Sequence, residues 1–95
     1  MSGTQLNVRT VRARDYNQAR SILANAGSQS ARKSHPVHDK PDVPVAQGQD
    51  LLREARDEFR EMDAGLPDKQ KKSRMSQEHY KAVHDAADTM GISHW

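Results

Sequence analysis

The sequence predicts a small all-α fold, and three observations predict it. Three stretches each open on a polar capping residue, carry apolar residues at 3-4-3 spacing and close on a glycine. Period-2 alternation, the mark of a strand, is confined to Leu6 and Val8 and is broken at Val11. With 95 residues, 34% of them hydrophobic and 4% aromatic, the chain is bounded to one domain with a modest core.

Residues 1–14 read as a basic arm. TQLNVRTVR forms either a short strand or a loose segment carrying Arg9, Arg12 and Arg14. Residues 15–27 follow as an N-terminal helix at about 16–26. Asp15 with Gln18 approximates a capping box, Tyr16, Ala19, Leu23 and Ala26 form a stripe that Ile22 widens, and Gly27 ends it.

Residues 28–49 change character. Pro36, Pro41 and Pro44 interrupt SQSARKSHPVHDKPDVPVAQGQ, which has no helical stripe, so it reads as a long flexible or extended linker.

Residues 50–95 read as a helical hairpin. In DLLREARDEFREMDAG the residues Leu52, Ala55, Phe59, Met62 and Leu66 form one stripe over a helix at about 51–64, with Asp50 as cap and Gly65 as stop. The opposite face, Glu58 included, is a solvated mixture of charges. A connection of about ten residues, rich in Lys and Arg, permits an antiparallel return. The third helix, at about 77–90, is capped by Ser76, striped by Tyr80, Val83, Ala87 and Met90, and closed by Gly91. The first helix is a detachable partner of this hairpin.

Functional classes separate by what they need. Without cysteine, disulfides and thiolate metal sites are excluded. His79 and His84, five apart, sit about 140° apart around a helix, which does not suit a shared metal. His84 and Asp88, four apart, suit a modest helix-surface interaction. No glycine-rich phosphate loop or nucleophile elbow is present, so neither catalysis nor a cofactor is expected. No apolar run nears the roughly 20 residues of a membrane span, so the reading is cytoplasmic, with no membrane partner.

The expected function is therefore non-enzymatic interaction. The chain reads as an accessory protein, inhibitor or structural subunit, of the kind carried by phages and mobile elements. It would bind a larger protein or assembly, or self-associate, through an extended segment and the stripe residues Leu52, Phe59, Met62, Tyr80, Val83 and Met90. Tyr16, Leu23, Phe59, Met62, Tyr80 and Met90 equally suit the inside of an intramolecular three-helix core. The alternative is a small basic nucleic-acid-binding protein. Net charge is only +2, but Arg9, Arg12 and Arg14 in the arm and Lys71, Lys72 and Arg74 in the Lys69–Arg74 tract could neutralise phosphates.

Overall fold

The computed structural model describes residues 9–67 and 75–92. A three-residue strand, β1 (Thr10–Arg12), leads without a break into helix α1 (Ala13–Asn25). Helix α2 (Gln29–Lys33) comes next, then strand β2 (Asp42–Pro44), helix α3 (Val45–Asp63) and helix α4 (Gln77–Thr89). The described residues thus make a mostly helical domain with one two-stranded antiparallel sheet.

That sheet corrects the all-α expectation. β1 and β2 pair in the register Thr10↔Pro44, Val11↔Val43 and Arg12↔Asp42. Val11 and Val43 point inward and are 3% and 2% exposed. The ribbon is closed at one end by the Ala13 N–H, which donates to the Pro41 carbonyl at 2.8 Å. At the other, the Val45 N–H donates to the Arg9 carbonyl at 2.9 Å. Each of these bonds supplies an acceptor to an N–H in the first turn of a helix, a donor that has no intrahelical partner.

α1 accordingly starts at Ala13, and Asp15 is not its cap. Asp15 lies in the first turn and accepts from Arg12 Nε at 3.0 Å. The end of α1 is as the sequence predicts. The Ser28 N–H reaches the Leu23 carbonyl and the Gly27 N–H the Ala24 carbonyl, with Gly27 at φ 111°. That is a Schellman motif, and it recurs where α4 ends at Gly91 and Ile92.

α3 begins at Val45 rather than at residue 51. Among its buried residues, Val45, Gly48, Leu52, Ala55 and Phe59 keep the 3-4-3-4 spacing, about two turns earlier than the predicted stripe. Pro44 marks the helix start and does not prevent it, because its missing N–H would be unpaired there anyway. Gly48 costs the helix about 1 kcal/mol of propensity. It also makes room, since a Cβ there would overlap Sδ and Cε of the buried Met90. Beside it, Gln49 Nε2 donates to the Met90 carbonyl at 2.6 Å.

The core joins all of these elements: Tyr16, Ile22 and Leu23 from α1, Leu51, Leu52 and Phe59 from α3, and Val83, Met90 and Ile92 around α4. α4 lies chiefly against α1. It meets α3 where Met90 reaches Gly48 and Gln49, so the predicted α3–α4 hairpin gives way to packing across α1.

The predicted linker is the largest correction. Residues 28–49 hold α2, β2 and the start of α3, and polar side chains of α1 and α3 fix them. Asn17 pairs with Val37 as a strand would, donating to its carbonyl and accepting from its N–H, both at 2.8 Å. Arg20 Nη1 donates to the carbonyls of Ala31 and Ser34 at 2.8 and 3.0 Å. Glu58 caps α2 from α3, accepting from the Gln29 N–H at 2.6 Å and from the Ser30 N–H at 3.2 Å. The hydroxyls of Ser28 and Ser30 donate to the same carboxylate. Ser28 Oγ in turn accepts from the Ala31 N–H at 3.1 Å, and Ser28 is fully buried. Partial burial alone would raise the Glu58 pKa. The donors from Ser30, Gln29 and Ser28 outweigh it and hold the carboxyl below its ordinary value.

Candidate functional site

The six stripe residues divide between core and surface. Leu52 and Val83 are fully buried, Met90 is 1% exposed and Phe59 9%. These four fill the chain's own core, because the helices fold on one another. Met62 and Tyr80 are 43% and 46% exposed, and Leu66 joins them at 39%. They lie beyond the buried part of their stripes, at the C-terminal end of α3 and the N-terminal end of α4.

The basic residues divide differently. Arg9, Arg12 and Arg14 are exposed around β1 and the first turn of α1, with Arg12 paired to Asp15. Lys71, Lys72 and Arg74 lie outside the described residues. On α4, His84 Nδ1 stands 3.6 Å from Asp88 Oδ2, the four-residue interaction that the spacing predicts. Asp85 completes a trio whose ligand atoms lie within 4.8 Å of one another, on the solvent side of the helix.

Two grooves border α1. One, about 290 Å³, separates α1 from α4 and is edged by Arg12, Asp15, Gln18, Asp85 and Thr89. The other, about 570 Å³, runs between α1, the end of α2 and α3. Its wall is Tyr16 from α1, Ser34 and His35 after α2, and Gln47, Asp50, Leu51 and Glu54 from α3. Tyr16 and Leu51 are buried apolar surface, 3% and 4% exposed, while Asp50 and Glu54 stand in solvent. No Lys or Arg lines this groove. Neither carboxylate is ion-paired among the described residues.

Sequence reasoning missed this groove for identifiable reasons. Asp50 reads as a helix cap, but α3 begins five residues earlier, so its side chain lies along the helix flank. His35 sits in the segment read as a linker, and Arg20 anchors the residue before it. Tyr16 reads as core, which it is; only the fold shows that it also walls a groove. The signal available in sequence was the i, i+4 spacing of Asp50 and Glu54, which puts both acids on one flank of a helix.

The described residues thus form a small, mostly helical domain with one shared core and grooves along α1. Neither a family model nor a curated protein matches the chain. A solved structure does: that of the bacterial toxin phenomycin, 63% identical over 90% of this chain and 92% of that one, with a TM-score of 0.64. The chain belongs to the family of that toxin. This overturns the expectation of an accessory protein, inhibitor or structural subunit, and equally that of a small basic nucleic-acid-binding protein. Helical stripes and basic tracts report how a chain folds and where it is charged, and neither distinguishes a toxin from those alternatives.

Proposed function

We propose that this protein is a toxin, and that it acts by binding a larger protein partner rather than by catalysis. The observation that carries the toxin reading is the identity of 63% with phenomycin over nearly the whole of both chains. Binding is supported by the open grooves and by the exposed Met62, Leu66 and Tyr80. Glu58 is taken as structural in this reading, because its carboxyl is held below its ordinary value by donors that stabilise its charged form. That suits a structural cap and not a general acid.

The test is inducible expression in a bacterial host and in a yeast, with growth rate as the readout. Wild-type protein is expected to arrest one of the two. A Leu52→Asp variant, with a charge in the core, serves as the unfolded control. Normal growth of both hosts at confirmed expression, and no effect of purified protein added to extracts of either, would overturn the toxin reading. In a sensitive extract, binding predicts inhibition that follows concentration and is reversed when the protein is removed. Damage that keeps accumulating after removal of the protein would overturn the non-catalytic part.

A further inference from the structure

We propose that the groove between α1, Ser34–His35 and α3 is a docking slot for an arginine side chain of the partner protein. The biological role of the slot rests on the toxin reading above, whereas its chemistry rests on the groove itself.

An arginine has two parts, an apolar methylene stem and a planar cation, and it needs a site with both kinds of surface. The floor supplies the first. Tyr16 and Leu51 are almost wholly buried, yet both line the groove. The rim supplies the second. Asp50 and Glu54 are one helical turn apart on α3 and present two acceptors that have no paired cation among the described residues. A guanidinium carries five N–H donors in a fixed fork, which suits two carboxylates better than the point charge of a lysine.

Two further observations favour this occupant. Tyr16 is only 3% exposed, and its hydroxyl makes no hydrogen bond among the described residues. The hydroxyl oxygen is not itself buried, so a donor lying in the groove can take the place of water there. The aromatic ring beneath also attracts a cation. In addition, Arg20, one turn along α1 from Tyr16, donates to the carbonyls of Ala31 and Ser34. That contact braces the Ser34–His35 wall and leaves the two acids of the opposite wall unneutralised.

The probe is N-acetyl-arginine amide, titrated into the full-length protein and followed by backbone amide shifts. The expected result is saturable shifts confined to residues around Tyr16, Ser34–His35 and Gln47–Glu54. N-acetyl-citrulline amide, the neutral isostere, should give none. The double variant Asp50→Asn/Glu54→Gln should weaken binding on the order of tenfold at an unchanged melting temperature, as removal of two charged acceptors predicts. Tyr16→Phe should weaken it by a smaller factor. In the host or extract that the wild type inhibits, the double variant should lose potency to a similar degree.

Equal shifts with citrulline amide, shifts scattered over the surface, or a double variant that binds like wild type would overturn the slot. Groove shifts that grow with protein concentration and no probe would assign it to a second copy of the chain, overturning the partner assignment. Full potency of a double variant that no longer binds the probe would do the same. If the wild type inhibits nothing, the toxin reading fails, while the probe titration still decides whether the groove takes an arginine.

Discussion

Residues 28–41 and residues 76–92 are similar in length but are ordered by different means. The second segment carries its instructions locally. Ser76 Oγ accepts from the His79 N–H at 3.2 Å at one end of α4, and the Schellman bonds of Gly91 and Ile92 close the other. Between them, Val83 and Ala87 fall on a single stripe with Met90. The first segment is fixed largely from outside. α2 has five residues, too few to persist alone, and residues 34–41 form neither helix nor strand. Asn17, Arg20 and Glu58, contributed by α1 and α3, supply the bonds that define it. Order written locally can be read in sequence, whereas order imposed by side chains 11–30 positions away cannot.

The comparison predicts different responses to damage, and the largest is a shared one. Leu52 is fully buried in the core on which both segments rest. Leu52→Ala should cost about 2–5 kcal/mol, the range for deleting a buried leucine side chain. In urea both segments should then unfold in one transition at a lower midpoint. A variant in which α4 amides stay protected while residues 28–41 melt would break the picture of a single core.

Asn17→Ala should separate the two segments. It removes two bonds to Val37 and leaves that N–H and carbonyl to find water. The cost is about 1–3 kcal/mol. Hydrogen exchange at Val37 should accelerate strongly, with the middle of α4 changing only as far as global stability falls. Equal acceleration in both places would mean that the tether serves the whole fold and not the segment.

Legibility divides along the same line. The glycine stops at Gly27 and Gly91, the Ser76 cap and the stripes of α1 and α4 were all visible, because each signal lies within a few residues of what it controls. The sheet was not. Each strand is three residues long with one inward valine, so no period exists to detect. The opening six residues of α3, Val45 to Asp50, were hidden behind Pro44 and Gly48, which in sequence resemble breakers. Glu58 looked like one more solvated acid among six between Asp50 and Ala64. Nothing local tells it from Glu54, which stands on the groove rim. What differs is the element that each one faces.

Glu58→Gln comes next in size. The amide keeps an acceptor but loses the charge that the Ser30, Gln29 and Ser28 donors favour, and partial exposure to water discounts the loss to about 1 kcal/mol. The pH dependence gives the sign. The folded-state pKa lies below the ordinary 4.5, so the fold favours the charged form. Its stabilisation is complete above 4.5 and is lost as pH falls through the lowered folded value. The stability gap between wild type and Glu58→Gln should therefore hold constant from neutrality down to mildly acidic pH and close below it. A gap that widens on acidification would mean that the carboxyl is raised, not lowered.

The smallest effect belongs to Met62, and it bears on how the α3 stripe is read. By spacing alone Met62 is equivalent to Leu52, Ala55 and Phe59, which would give it a comparable role in the core. In the fold, burial along the stripe runs from Val45 to Phe59 and stops there, leaving Met62 43% exposed. Truncation costs what the side chain loses in burial and in cavity formation, so an exposed methionine on the same stripe should cost little. Met62→Ala is expected to change stability by no more than about 0.5 kcal/mol, against about 2–5 for Leu52→Ala. If Met62 instead meets the partner, Met62→Ala should lower potency in a sensitive extract while leaving the melting temperature unchanged. A stability loss as large as that of Leu52→Ala would place Met62 in the core, and the stripe would then run its predicted length.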